Sequence, residues 1–333
     1  WYFDKVGKKL YVFLGNPANL PKIEISTKNN LFQLSWGVSH IQITDLELKG
    51  ANSNGIVIEE GIHVYVSNSD IKFMGENAIK GTISHFLKVE NCTIDQSLSN
   101  AIYAENTSQN VTIKNNLITN TYLYVGMGGN GDLTGAAIYT SNRAHNGLIE
   151  NNRIFNTGYI GINFGGDNSV VRRNYVKDFC IHKTDGGGIY LWEGGENRNS
   201  TGRIIENNIV VNGIGYSNGT NKHGLIDPIP VEAIYVDDNA SGVLIRKNSL
   251  ANVSKHGIYL HNARNIDIRE NIIYNAFEGI YLNHDQHGDP VRDITIENNQ
   301  IFAVQNDANF VNTSSIKEDE AQMGTFNNNY FIR

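Results

Sequence analysis

The sequence predicts an all-β fold, a right-handed parallel β-helix of about ten coils, and three observations carry that prediction. A G-I-Y-like segment recurs every 22 to 24 residues, an asparagine recurs in a second column of the same repeat, and apolar residues alternate with period 2. The recurring isoleucines are Ile56, Ile79, Ile102, Ile138, Ile162, Ile189, Ile234, Ile258 and Ile280. The asparagine column is Asn116, Asn152, Asn174, Asn208, Asn248, Asn271, Asn299 and Asn329. Asparagine tolerates left-handed backbone and bonds to its neighbours, so a stacked asparagine suits a corner repeated in every coil. With a third short alternation in each unit, three strands fill one coil. Period 2 excludes a helical solenoid, and crossovers between parallel strands take the right hand.

Taken in order, the chain opens on "WYFDKVGKKLYVF", and residues 1–30 are expected to form an N-terminal β segment flanking the solenoid. The absence of an initiator Met, in a chain that starts in mid-pattern, points to a processed or trimmed N-terminus. Residues 31–333 hold the repeat, interrupted by two long insertions. The first, between Ile102 and Ile138, contains "YLYVGMGGNGDLTG"; the second, before Ile234, contains "GYSNGTNKHGLIDPIP". Both precede a G-I-Y strand, so they rise at one corner and wall the same face, and long loops on a rigid scaffold are where function concentrates. Cys92 falls in the asparagine column and Cys180 three coils on, too far apart for a disulfide; two buried thiols are expected.

Composition narrows the partners. Only 18% of the 333 residues are charged and the net charge is −7, which argues against a nucleic-acid partner. No apolar run reaches the roughly 20 residues that span a bilayer. Nothing in the repeat sets an oligomeric state.

Alternation within "GIYLW" turns Ile189 and Leu191 inward and Tyr190 and Trp192 outward. The same register exposes Tyr103, Tyr139, Tyr235, Tyr259 and Tyr281, an aromatic row suited to the C–H faces of sugar rings. Just beyond this row, stacking is expected to bring Glu193 beside Asp237 and Asp238, and these beside His261 of the following coil. Strands about 4.8 Å apart can hold carboxyls at the separations glycosidases use, where one stays protonated as acid and the other acts as nucleophile or base. Asp185, at the other end of its strand in "DGGGIYLW", is a further acid, and its glycine triplet would let a substrate approach bare backbone. The expected binding residues are Trp192, Tyr190, Tyr235, Tyr259, His261 and His284. His256 reads as structural. A hydrolase of this kind needs no cofactor; calcium on Asp237 and Asp238 belongs to the alternative reading below, and the "NHDQHGDP" cluster matches no zinc spacing.

These motifs also carry a resemblance. "WYFDKVGKKLYVF", "DGGGIYLW", "IYVDDNASGVLIRKN" and "GIYLHNARNIDIRENIIYN" resemble bacterial parallel β-helix carbohydrate-active enzymes of the xylanase, β-xylosidase and α-L-fucosidase kind. The resemblance implies acids on successive coils of one sheet, here Glu193, Asp237 and Asp238 with Asp185 as a further candidate, and a secreted, periplasmic or cell-surface location. Asp237, Asp238 and His261 are also similar to the acid pair and histidine of polygalacturonases, although the "NTD", "GHG" and "RIK" motifs of that family are absent. The leading expectation is a glycoside hydrolase acting on a plant or algal polysaccharide or oligosaccharide. One alternative is a polysaccharide lyase or uronate epimerase using His261, Lys183, Arg264 and a calcium ion. The other is a non-catalytic carbohydrate-binding solenoid.

Overall fold

A computed structural model describes residues 2–15, 22–194, 199–213, 215 and 228–333. Its described residues form a right-handed parallel β-helix in which every coil contributes one strand to each of three columns. The nine isoleucines stack in one register column, and the structure extends it at both ends. Phe32 lies against Ile56, and Val311 lies against Ile280. The solenoid is thus longer than the isoleucines alone count: the sheet opposite the G-I-Y column has eleven strands. Among the described residues the only helical element is a 3-10 turn at Glu320–Gln322, and no helix is long and apolar enough to cross a membrane. Near the start, Tyr2–Asp4 pairs antiparallel with Lys9–Tyr11, and the first solenoid strand is Asn30–Leu34.

The interior is built as the repeat dictates. Each anchoring isoleucine is fully buried, and one coil's methyl groups pack on the next. The asparagine column is a continuous buried ladder. Asn208 shows its pattern: its backbone N–H and side-chain Nδ2 both donate to Asn248 Oδ1 at 3.0 Å, Nδ2 also donates to the Val171 carbonyl, and its own Oδ1 accepts from Asn174. The left-handed backbone, however, belongs to the residue before each ladder asparagine. Asn115, Asn151, Arg173, Asn207, Lys247 and Glu270 all have φ between 55° and 58°. The ladder residue is selected for its amide, which satisfies buried groups of two neighbouring coils. A second ladder, Asn30, Asn54, Asn77 and Asn100, runs beside the first G-I-Y strands and ends by accepting the Gly135 and Ala136 N–H groups.

Both cysteines are free and buried, and the Cys92 N–H donates to Asn116 Oδ1 at 2.9 Å, the place the column assigned it. Of the two insertions, the first is described throughout. Most of the second lies outside the described residues, apart from Gly215 and residues 228–230.

Candidate active site

Four adjacent strands carry the site: Gly187–Trp192, Glu232–Asp237, Ser249–His261 and Ile272–His284. Their parallel register sets Tyr190, Tyr235, Tyr259 and Tyr281 side by side and places Trp192 opposite Asp237. The rings interact: Tyr235 and Tyr259 stack at 4.7 Å, and Tyr190 meets Tyr235 edge-on at 5.2 Å. Over the N-terminal part of this row lies a cleft of about 570 Å³, bordered by Asp185, Tyr190, Trp192, Asp237 and Asp238, with Tyr139 and Tyr159 further along. The first insertion walls it through Asp132 and Leu133. That wall is tied down by Lys183 Nζ, which donates to the Gly131 and Thr134 carbonyls and lies over the rings of Tyr122 and Tyr159.

Asp237 is the most heavily bonded acid of the cleft. It accepts from the Tyr190 hydroxyl at 2.7 Å, from the Asp238 N–H at 2.9 Å and from His261 Nδ1 at 2.9 Å. Three donors thus converge on this one carboxyl. Burial by itself would push the His261 proton off, but hydrogen bonds to Asp237 and Asp285, with the charge of Asp238 nearby, outweigh it and hold the imidazole pKa up at about 9. Its Nε2 stands 3.0 Å from Asp285, whose carboxylate is held below the usual range against burial by Asn262, His287 and His261.

Asp185 behaves in the opposite way. Burial of its carboxyl, reinforced by the charge of Asp237, shifts its pKa upward. The residue keeps an open edge at the cleft mouth, yet protein groups hem in the acid end, with Tyr235 Oη 3.5 Å from Oδ1. Asp238 is also raised, by burial and by Asp237, with a hydrogen bond from Asn262 opposing the shift. The cleft therefore holds acids pushed toward their protonated forms beside one that accepts three hydrogen bonds, an asymmetry that general acid–base chemistry can use.

Several expected members sit elsewhere. Glu193 does not face the cleft: it lies just past the last paired residue of its strand and turns inward. It is 2% exposed, pairs with the fully buried guanidinium of Arg203 at 2.9 Å, and accepts from Ser200. His284 is buried, with Nδ1 3.0 Å from Ser315 Oγ, again on the inward side of its strand. Tyr259 lies in the row but outside the described border of the cleft, where its hydroxyl accepts from Asn283. The three glycines of "DGGGIYLW" are all buried rather than open to a ligand. A Cβ on Gly186 would lie 2.6 Å from the Tyr159 ring, and one on Gly188 would lie 2.2 Å from Val210. The triplet is therefore a packing requirement.

Sequence reasoning passed over Asp132 and Tyr159, and considered Asp285 only within a loop cluster and not as a partner of His261. Asp132 stands in an insertion already singled out, and Asp285 in the "NHDQHGDP" cluster, so their neighbourhoods were visible although their partners were not. As to cations, Asp237, Asp238 and His261 bring ligand atoms within 4.8 Å of one another, and so do His261, Asp285 and His287. Both sets share His261, whose proton would have to leave first.

A model of the right-handed beta helix region matches residues 54–226 of the chain. No curated protein matches it. Among solved structures, PfbA, a surface adhesin of Streptococcus pneumoniae, is 17% identical with a TM-score of 0.52, over 88% of this chain and 75% of that one. A mutant tailspike protein of E. coli bacteriophage HK620, solved in complex with a pentasaccharide, is 11% identical with a TM-score of 0.57, over 87% of this chain and 54% of that one. The chain thus spans about half the tailspike's length, and at such identities the likeness is one of fold. The family match covers more than half of the sequence, and the repeat it describes is the one that stacks the isoleucines: the chain belongs to the right-handed β-helix family.

Proposed function

We propose that the chain is a glycoside hydrolase that cleaves a plant or algal polysaccharide or oligosaccharide, with Asp185 as the protonated acid and Asp237 as the carboxylate that activates water or attacks the sugar. The observation that carries this reading is the opposed environment of two acids in one cleft. Asp185 is pushed up by burial and by its neighbour, whereas Asp237 accepts three hydrogen bonds. Asp238, also raised, is the second candidate acid. Trp192, 45% exposed, and Tyr190 supply apolar and polar surface for a sugar ring. A xylan-like or fucosylated substrate follows from the resemblance alone, as does a site of action outside the cell.

The lyase or epimerase reading is less well supported. A C5-proton abstraction needs an unprotonated base, whereas His261 is held protonated to about pH 9, and burial raises the Tyr190 and Tyr235 hydroxyls well above their ordinary range. A uronate would also meet Asp132 and Asp237 in the same cleft.

The test is a reducing-sugar screen of the wild type, Asp237→Asn and Asp185→Asn on xylans, fucosylated glycans, pectins and alginates, with ultraviolet absorbance recorded alongside. The expected result is reducing ends without absorbance, lost by about 10²-fold or more in either variant. The alkaline limb of the rate profile should lie above the ordinary carboxylate range, because the acid must keep its proton. Asp185→Asn should also melt at a higher temperature than the wild type at neutral pH, since it removes a charge the fold disfavours. Absorbing products would replace this reading with a lyase, and silence across the panel would favour a binding solenoid.

A further inference from the structure

On the far side of the tyrosine row, the strands that carry Asp237 and His261 hold a second acid–imidazole–acid stack that the proposed chemistry does not use. Glu232, His256 and Glu278 are register partners. Each stands five residues before a residue at the other end of the row: Asp237, His261 and Asn283. His256 Nδ1 lies 3.1 Å from Glu232 and Nε2 lies 2.8 Å from Glu278, which also accepts from Asn312. The imidazole is 1% exposed. The ring lies tilted against Tyr259 and Tyr281, with centroids 4.5 Å and 5.0 Å away. Tyr259 in turn stacks on Tyr235 and His261, and the Tyr235 hydroxyl stands 3.5 Å from both Asp185 and His261.

A buried acid–imidazole–acid triad is a poor source of net stability, because desolvation offsets most of the attraction and an apolar trio of similar volume would pack as well. It does supply orientation. A hydrogen bond between Nδ1 and Glu232 and a close contact of Nε2 with Glu278 hold the ring between the two acids, and its position decides where the two tyrosines rest. We propose that Glu232, His256 and Glu278 are positioning residues that hold the tyrosine row, and through Tyr235 set the acid Asp185 against His261 and Asp237. The inference rests on the hydrolase reading of the cleft; the triad itself touches no substrate.

The test compares Glu278→Ala, which leaves the His256–Glu232 pair, with His256→Ala and with Glu278→Gln, which keeps an acceptor without the charge. Rates are taken on the panel polysaccharide that the wild type degrades fastest. Both alanine variants should lose about tenfold or more in kcat with KM within about twofold, and Glu278→Gln should recover most of the loss. The near-ultraviolet circular dichroism of the tyrosines should fall and recover in parallel. Lower melting temperatures with unchanged kcat per folded molecule and an unchanged tyrosine band would overturn the proposal. If His256→Ala does not fold, Glu278→Ala decides. If the wild type degrades nothing on the panel, the hydrolase reading fails, while the tyrosine band of Glu278→Ala still supports or overturns the positioning role.

Discussion

Glu193 and His261 show how far one residue's neighbours decide its part. Glu193 stands next to Trp192 in the chain but on the other side of the strand, where it neutralises Arg203 in a site closed to water. Removing one member of such a pair leaves an uncompensated charge, at a cost of about 3 kcal/mol or more. Glu193→Gln should therefore lower the denaturation midpoint while kcat per folded molecule is retained, measured on the same panel substrate. His261 is read through pH. Its folded-state pKa is raised from 6.5 to about 9, so its contribution to stability is complete below about 6.5 and is lost as pH rises through about 9. Denaturant titrations across that window should show the wild type weakening with rising pH, and His261→Gln should lack that component.

At the scale of the strand and its corner, the ladder is the sturdiest repeated device. Every ladder asparagine bonds to two coils, so its loss strands buried groups on both. Asn208→Ala would leave the buried Asn174 backbone N–H without its acceptor and take one donor from the Val171 carbonyl, a cost of about 2 kcal/mol. The residue just before it, Asn207, has φ of 55° with its side chain outside the ladder. Asn207→Ala should therefore cost less, and the contrast between the two melting temperatures separates amide bonding from backbone conformation. The ladder column was legible in the sequence because it has a fixed spacing and a single residue type. Its division of labour was not, since Asn115, Asn151, Asn207, Asn298 and Asn328 stand at the left-handed position as well, and an Asn-Asn pair does not tell which member forms the ladder.

Over the whole molecule, stacking turns a one-dimensional repeat into a surface on which residues 20 to 50 positions apart become neighbours. Asp185, Tyr235 and His261 come from three successive coils, and the Tyr235 hydroxyl reaches the other two. The first insertion folds over the same coils and contributes Asp132 and Leu133 to the wall. Rigid coils with variable loops at one corner allow such a cleft to change its occupant without disturbing the core.

The sequence by itself determined the coil, the columns and which aromatic residues face outward, because those follow from period-2 alternation and a fixed repeat length, both of which are local. It also brought Asp237, Asp238 and His261 into one neighbourhood, since equal spacing from the isoleucines places them on adjacent levels. Only the tertiary structure decided which acids share the cleft. Past the last paired residue of a strand, the direction of a side chain is set by what waits for it. Arg203 drew Glu193 inward, and Tyr235 and His261 left Asp185 facing Asp237. Those partners lie on other coils or in turns without periodicity, and a carboxyl's environment, which sets its chemistry, is a property of the assembled neighbours.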